Sequence, residues 1–458
     1  MEGWQRTLRV LWFVQFLTTL AMNLGLTFVP FFLADDPVLR VHDPAARIMY
    51  TCLILAGPFF TTILFTPLWG WVADRTGPKR QVVRACFGLG LTQLLMAVAQ
   101  SPDQMVAIRM LQGMLSGVLA ASLGLLAVVT PKEQHGRAIS VLQSATPAGQ
   151  IFAPVLGGIL ATTLGFRPTY AILGSLILAT GFLSWLWLRQ DGFRPTSSAN
   201  PFAGLCRAGR EAARQPALRQ AFGILLGGQF AFSVTQGVFA IYAGHIISAW
   251  VEATGAEPAW WNSPIGFTAL AMTLTGSASV LGSRWWGRLH DARARYLTPS
   301  GAALLSVSML ILYLEPIWWL VLVARMGVGL GLAAMSSLPF ASIASGVPAE
   351  QRGQFMGLAT SLTHVGNLAG FLLGGLLAAW WGEPGNFALA ALAYALVMVA
   401  GIHLERRSHP EVDRSRITLP VQRSKRPDST TSPLLPPEAV REGIGQRNRL
   451  TGPTAKVC

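Results

Sequence analysis

The sequence predicts an all-α integral membrane protein, with twelve transmembrane helices in two six-helix bundles related by pseudo-symmetry. Of its 458 residues, 52% are hydrophobic and only 12% are charged, whereas soluble domains carry roughly 25% charged residues. Apolar stretches of the length needed to cross a bilayer core, about 20 residues, recur along the chain. Short motifs also recur at a constant offset of 217 residues, which predicts two halves of one design.

Charged residues and Pro or Gly breaks divide the apolar sequence into twelve spans. The first span lacks a small-residue cleavage site, so we expect it to be retained rather than removed as a signal peptide. The predicted limits are 8–33, 49–72, 81–100, 104–129, 138–163, 168–188, 219–249, 264–285, 297–314, 317–345, 354–380 and 386–404.

These spans group into four segments. We predict an N-terminal six-helix bundle at 1–188, a cytoplasmic linker at 189–218, a C-terminal six-helix bundle at 219–405 and a disordered basic cytoplasmic tail at 406–458. The linker is polar and Arg-rich, so we expect it to contain a short amphipathic helix along the inner surface. The tail is rich in Pro, Ser and Thr and almost free of aromatic residues, a composition that does not support a packed core.

The basic residues predict the orientation of the spans. With a cytoplasmic N-terminus, nineteen Lys and Arg residues before the tail fall on the inner side and three fall on the outer side. This asymmetry follows the positive-inside rule, which places both termini in the cytoplasm. The formal charge of +14 therefore reflects membrane topology and the tail, and we expect the lipid bilayer rather than nucleic acid as the surrounding partner.

The repeat relates polar and small residues at the ends and turns of the spans. A shared offset at such positions indicates equivalent places in the two halves rather than a chance likeness of apolar segments. The matched pairs are Trp69 with Trp286, Gly70 with Gly287, Asp74 with Asp291, Gly149 with Gly366, and Gly157 with Gly374.

The loop between the second and third spans reads Gly-Trp-Val-Ala-Asp-Arg-Thr-Gly-Pro-Lys-Arg over 70–80. It resembles the signature loop of the major facilitator superfamily, Gly-x-Leu-Ala-Asp-Arg-x-Gly-Arg-Lys, with Val72 and Pro78 as the departures. The resemblance covers residues 1–405 and implies a gating motif. Its residues here are Gly70, Asp74, Arg75, Gly77, Lys79 and Arg80, with Gly287 and Asp291 in the second half.

The resemblance also implies that Asp74 acts as a latch between the halves. A carboxylate is stabilised at the positive N-terminus of a helix. We expect Asp74 to face the start of span 11 near 353–355, and Asp291 to face the start of span 5 near 136–138. Both contacts would exist only while the inner side is closed.

Span 4 carries a charge, Arg109, followed by Gln112, Gly113 and Gly117. A charge inside a membrane span is costly and indicates function by default. The segment resembles the second motif of the superfamily, whose buried Arg is implicated in proton coupling. Two other interpretations stay open: Arg109 could snorkel to the outer interface, or it could be scaffolding, because Arg325 lies 216 residues later at an equivalent place.

Span 5 reads Gly-Gln-Ile-Phe-Ala-Pro-Val-Leu-Gly-Gly over 149–158. It resembles the antiporter motif Gly-xxx-Gly-Pro-xx-Gly-Gly of the drug:proton antiporter-like exporters, with Ala153 in place of the second Gly. The segment 23–30 of span 1 resembles the same branch, which includes bacterial multidrug exporters. The resemblance implies export. The motif residues are Gly149, Pro154, Gly157 and Gly158.

The polar residues inside the spans indicate a cavity rather than a catalytic centre. A largely apolar, aromatic cavity with a few polar groups suits amphipathic organic compounds. No Asp or Glu lies well inside any span, which points away from strongly cationic substrates and towards neutral or anionic ones that Arg109 could attract. The cavity candidates are Asn23, Gln150, Gln229, Gln236 and Asn367; the proton-carrier candidates are Asp35, Asp36, His245 and His364.

These features predict a monomeric secondary transporter in a bacterial inner membrane. It would export small, drug-like compounds in exchange for protons, by alternating access. A facilitator or importer of a small metabolite, or a receptor-like membrane protein without flux, would have the same fold. The sequence lacks a Walker A motif, Gly-x-Ser-x-Gly and His-Glu-xx-His, so we expect neither an enzyme nor an ATP-driven pump. Four cysteines without a CxxC pair predict no metal site, and we expect no cofactor.

Overall fold

A computed structural model describes residues 3–131, 134–188, 201–292, 297–314, 317–347 and 352–408. Apart from short 3-10 turns, the regular structure of these residues is α-helical. The first eight helices are α1 Gly3–Asp35, α2 Pro44–Thr76, α3 Pro78–Val98, α4 Pro102–Leu115, α5 Val118–Val129, α6 His135–Gln143, α7 Ala145–Leu164 and α8 Phe166–Trp187. The others are α9 Pro201–Arg214, α10 Pro216–Thr254, α11 Pro264–Ala292, α12 Leu297–Tyr313, α13 Trp318–Gly346 and α14 Arg352–Ser408.

The described helices supply the twelve crossings that the sequence predicts. Ten helical segments are long and apolar enough to span a membrane. One of these, Gln354–Ile402, has 49 residues and contains two spans, because Gly382 leaves the helical conformation with φ of +75° and Pro384 follows. The apolar helix α12, with 17 residues, is the remaining crossing. The predicted fold class is confirmed.

The fourth span is interrupted, whereas the sequence predicted a continuous helix. The break lies between α4 and α5 at Gly117, whose φ of +115° is a conformation that glycine adopts at little cost. Arg84 of α3 donates from Nη1 to the Leu115 carbonyl at 3.2 Å and from Nη2 to the Ser116 carbonyl at 3.0 Å. Carbonyls that have lost their helical partners are therefore satisfied by a side chain. Orientation counting had placed Arg84 among the inner loop cations; here it stabilises the break.

The fifth span is also divided, into α6 and α7 at Ser144. Pro147 has no N–H to donate to the carbonyl four residues earlier, so the helical hydrogen-bond pattern is interrupted there. The Ser144 hydroxyl lies between two partners: it donates to the Val141 carbonyl at 2.7 Å and accepts from Trp12 Nε1 at 3.0 Å. The kink is thus fixed against α1.

The two halves repeat each other in their hydrogen bonds as well as in sequence. Trp69 of α2 donates from Nε1 to the Met114 carbonyl at 2.6 Å, and Trp286 of α11 donates to the Leu330 carbonyl at 2.9 Å. A donor and an acceptor that both recur one repeat later show that the halves share one design. The predicted pseudo-symmetry is confirmed at atomic detail.

Each half has its own buried apolar core, and the halves meet near the predicted outer side. The first core includes Leu24 and Leu125, and the second includes Phe239 and Phe267. A third set, which includes Cys52 of α2 and Val238 of α10, joins the halves. In lipid such contacts stabilise mainly through close van der Waals packing, since the tails are as apolar as the side chains.

A helix, α9, lies within the predicted linker. Its Ala212 packs in an apolar cluster with Phe222 of α10 and Phe355 of α14, at the predicted inner end of the second half. Residues 189–200 and the predicted tail beyond Ser408 lie outside the described residues. The limits of the predicted bundles, linker and tail therefore stay predictions.

Candidate functional site

A cavity of about 360 Å³ lies between the two halves. Helices α1, α2 and α7 of the first half and α10, α11, α13 and α14 of the second contribute to its wall. Much of that wall is apolar, including Phe59, Phe232, Met272, Met335 and Phe371. All five polar residues predicted from the sequence line this one cavity: Asn23, Gln150, Gln229, Gln236 and Asn367.

Some of these polar groups are already engaged by neighbouring helices. The Asn23 amide donates to the Thr19 carbonyl at 2.8 Å, one turn earlier in α1. The Asn367 Oδ1 accepts from the Ser233 hydroxyl at 2.6 Å, which joins α14 to α10. Gln150 is the most open of the set and is exposed towards the cavity. The wall therefore combines a fixed polar framework with an accessible amide.

Arg325 of α13 also lines the cavity, a position that the sequence analysis did not assign to it. Its side chain is 0% exposed. Nη1 donates to Gln236 Oε1 at 3.3 Å and Nη2 contacts Met272 Sδ at 3.0 Å, while Nε has no partner. The guanidinium carbon lies 4.1 Å from the ring centroid of Phe239. Among the described lining residues there is no carboxylate, so the charge of Arg325 has no counter-ion in the wall.

Arg109 is buried too, but it is not among the lining residues of the cavity. It is 3% exposed, so the snorkelling interpretation does not hold. Nη1 donates to Gln112 Oε1 at 2.8 Å, whereas Nε and Nη2 have no partner. The Tyr170 hydroxyl faces the guanidinium but lies outside hydrogen-bonding geometry and is itself unpartnered. The cavity charge expected from Arg109 is supplied by its repeat mate.

The glycines of the antiporter motif bring α7 against its neighbours. A Cβ at Gly149 would lie 2.9 Å from the Phe16 carbonyl of α1, and one at Gly158 would lie 3.1 Å from Ala269 of α11. Gly157 faces Phe28 of α1 even more closely. Pro154, between them, lines the cavity. The motif therefore places α7 between the first-half core and the second half.

The gating loop forms the predicted turn between α2 and α3. Gly77 has φ of +92°, and its N–H donates to the Ala73 carbonyl at 2.9 Å. The Arg75 guanidinium lies 3.7 Å from the Trp71 ring centroid. Lys79 and Arg80 belong to the first turn of α3.

Two expectations for this loop have different outcomes. No described atom lies within 4 Å of a Cβ built at Gly70, so the close helix approach expected there is absent from this conformation. The side chains of Asp74 and Asp291 lie outside the described residues, as do the surroundings of Gly287. The latch contacts stay predictions.

The acidic proton-carrier candidates lie at the predicted outer end of α1. The Asp36 carboxylate is 8% exposed and accepts from Arg167 Nε at 2.8 Å and Nη2 at 3.0 Å. Burial raises the pKa of Asp36, but these bonds and those from the Val38 and Leu39 backbone N–H groups outweigh it, so the pKa is lowered overall. Burial raises the pKa of Asp35 despite the opposing charges of Arg47 and Arg40.

The two histidine candidates lie apart from each other. His245 is exposed, with Nδ1 3.7 Å from Glu383 Oε1, in an outer depression beside Trp250 and Trp318. His364 lies behind the cavity wall, where its ring centroid is 5.6 Å from that of Phe59 and its Nδ1 has no partner. The structure therefore brings one candidate, His364, next to the cavity. Within the described chain, no cluster of His, Cys, Asp and Glu has the makings of a metal site.

Comparisons with known proteins bear on this architecture. A sequence profile of the Major Facilitator Superfamily matches residues 11–254 and 260–441. The multidrug resistance protein MdtG of Yersinia enterocolitica is 25% identical over 404 residues, covering 85% of this chain and 91% of that protein. The staphyloferrin B transporter of Staphylococcus aureus is also 25% identical over 404 residues, covering 86% of this chain and 91% of that protein.

Solved structures extend the likeness to the fold. The POT family transporter PepTSo superposes with a TM-score of 0.70 at 14% identity, covering 89% of this chain and 99% of that chain. At this identity the likeness concerns the fold alone. These relatives and structural neighbours are transporters rather than enzymes, and the chain is a multi-pass membrane protein, as the sequence predicted.

Proposed function

The chain belongs to the Major Facilitator Superfamily, and on that premise we propose that it exports small amphipathic organic compounds by proton antiport. The carrying observation is the central cavity, in which five predicted polar residues and a mostly apolar wall enclose about 360 Å³. Pockets of this character hold amphipathic organic molecules, because the apolar wall accepts the body and a few polar groups orient it.

The direction of transport follows from the motif in α7 and from the relatives. Pro154 of the antiporter-like motif lines the cavity, and several relatives are named multidrug resistance proteins. A proline in this helix frees a backbone carbonyl and permits bending. We assign the chain to a bacterial inner membrane, with both termini in the cytoplasm and the monomer as the working unit.

Alternating access accounts for the way the halves touch. The described contacts between halves lie in the middle or towards the predicted outer side: Met49 and Cys52 lie against Gly375, and the Phe59 and Phe371 rings stack at 5.8 Å. We assign this arrangement to an inward-facing state. Rocking the halves about the cavity would then expose the substrate to the outside.

The proton carrier in this proposal is His364. The lowered pKa of Asp36 keeps that carboxylate ionised near neutral pH, so it is poorly suited to carry protons there. An imidazole changes charge in the physiological range when its surroundings permit, and the unpartnered Nδ1 of His364 lies beside the wall residue Phe59.

Efflux from cells tests the proposal. Cells that express the protein should retain less of an amphipathic dye than cells that carry the empty vector, and a protonophore should abolish the difference. Equal expression of a transport-dead variant in the membrane controls for indirect effects on the dye. Efflux that survives the protonophore but stops on ATP depletion would contradict the proposal.

A further inference from the structure

The guanidinium of Arg325 has more donors than its surroundings satisfy. Arginine carries five N–H donors in a rigid fork. Here one contact, to Gln236 Oε1, is long at 3.3 Å, and another, at 3.0 Å, is to the Met272 thioether. A thioether is a weak acceptor, and Nε has no partner at all.

The charge of this group is also uncompensated. A buried charge is strongly unfavourable unless it is paired and hydrogen-bonded. The face of Phe239 lies 4.1 Å away, and such a contact contributes on the order of 2 kcal/mol when desolvated, less than a buried ion pair. No carboxylate lines the described part of the cavity. The site therefore presents a cation for which the protein itself supplies no counter-ion.

Met272 separates this cation from the cavity. Arg325 is 0% exposed and Met272 is 9% exposed, so the thioether covers the guanidinium on the cavity side. Methionine is unbranched and flexible, and it adapts to occupants more readily than other apolar side chains. Displacing it would exchange a weak acceptor for whatever the occupant offers.

We infer that the cavity selects organic anions, and that a carboxylate or sulfonate displaces Met272 to pair with Arg325. The fork of the guanidinium matches the two oxygens of such a group. The apolar body of the anion then lies against Phe59, Phe232 and Phe371. An organic cation in the same place would face an unscreened like charge. This inference rests on the proposed function and specifies the class of its substrate.

Binding to purified protein in lipid nanodiscs tests the inference with two matched probes. Anilinonaphthalene sulfonate is an amphipathic anion, and phenylnaphthylamine is the same aromatic body without the sulfonate. We expect Arg325→Gln to weaken binding of the sulfonate by about 10- to 100-fold, as expected for loss of a hydrogen-bonded charge. Binding of phenylnaphthylamine should change by no more than about twofold, since it has no anionic group to lose.

The repeat provides a matched control. Arg109→Gln removes the equivalent buried arginine of the first half, which lies outside the cavity, and should leave sulfonate binding unchanged. Arg325→Lys keeps the charge and should retain part of the sulfonate affinity. Retained binding of phenylnaphthylamine shows that each variant is folded, and thermal unfolding of each variant checks this independently.

The outcomes separate the inference from the proposed function. Equal weakening of both probes by Arg325→Gln, or equal weakening of the sulfonate by Arg325→Gln and Arg109→Gln, would overturn the inference. Efflux of both compounds is measured in parallel in cells. Charge-selective binding without efflux would retain the anion site and refute export, whereas efflux that ignores the sulfonate and Arg325 would retain export and refute the anion site.

Discussion

Arg109 and Arg325 occupy equivalent places in the repeat, yet only Arg325 reaches the cavity. Each is buried with unsatisfied donors. Arg109 donates to a glutamine of its own helix, Gln112, whereas Arg325 donates across to Gln236 of α10. The cross-helix bond makes Arg325 part of the wall that a substrate contacts.

This difference predicts that Arg109 acts on transport rather than on binding. Arg109→Ala should abolish transport while leaving substrate binding within about twofold, because the residue lies outside the cavity. Arg109→Lys should restore little, since an ammonium cannot replace the planar fork. Transport and binding are measured on protein quantified in the membrane. Full transport by Arg109→Ala would show that the buried charge is only scaffolding.

The Asp36–Arg167 ion pair predicts a pH-dependent contribution to stability. The pKa of Asp36 is lowered in the folded protein, so the folded state binds fewer protons and is stabilised above the unfolded pKa. Asp36→Asn should therefore lower the free energy of unfolding at neutral pH by about 1–3 kcal/mol, the value of a charge-assisted bond. As the pH falls through the lowered pKa, below about 4, wild type and variant should converge.

Thermal unfolding in detergent as a function of pH measures this contribution. Asp35→Asn is the matched control, because that neighbour is exposed and is not paired with Arg167. A constant difference between wild type and Asp36→Asn from neutral to acidic pH would contradict the account.

At the scale of helices, the break at Gly117 predicts a conformational cost for a side chain. A Cβ there has room, since the nearest atom is Arg84 Nη2 at 3.7 Å. The φ of +115° is nevertheless strained for any L-residue, so Gly117→Ala should destabilise by about 1–2 kcal/mol. Gly124→Ala in α5 is the control, with Pro78 Cβ at 3.6 Å and no positive φ. Equal melting temperatures for the two variants would contradict this.

The helices were largely predictable from the sequence, and their interruptions were not. Span number and repeat follow from apolar length and spacing, which depend on the chain alone. The break at Gly117 depends on Arg84, 33 positions earlier, reaching the freed carbonyls, a contact that no local pattern reveals. The polar cavity residues were predictable because they are costly elsewhere in a span. The cavity position of Arg325 was not, because the repeat makes it equivalent to Arg109.

At the scale of the whole molecule, the paired latch predicts how the two halves share their equilibrium. Asp74→Asn should destabilise the outward-facing state by roughly 0.3–2 kcal/mol, the range for a charge at a helix end. An equilibrium near balance would shift several-fold towards the inward-facing state. Asp291→Asn should act in the same direction but less strongly, because its loop lacks an equivalent of Gly77.

Labelling of single cysteines in a cysteine-free background measures this shift. A cysteine at Ser279, on the cavity wall, should become more reactive in Asp74→Asn. A cysteine at Met49, which lies against Gly375 where the halves meet, should become less reactive. Asp103→Asn removes a charge at the opposite, predicted outer side and serves as the control. Unchanged labelling at both sites in Asp74→Asn would mean that Asp74 serves topology alone.

The measurement that bears most directly on proton-coupled antiport is uptake of anilinonaphthalene sulfonate by proteoliposomes with an imposed pH gradient. The sulfonate stays ionised at both pH values, so a gradient cannot trap it by partitioning, and protein-free liposomes provide the baseline. An acidic interior should drive accumulation above equilibrium as protons leave, and a protonophore should abolish it. Uptake that only equilibrates, or that needs an acidic exterior instead, would contradict antiport and favour a facilitator or a symporter.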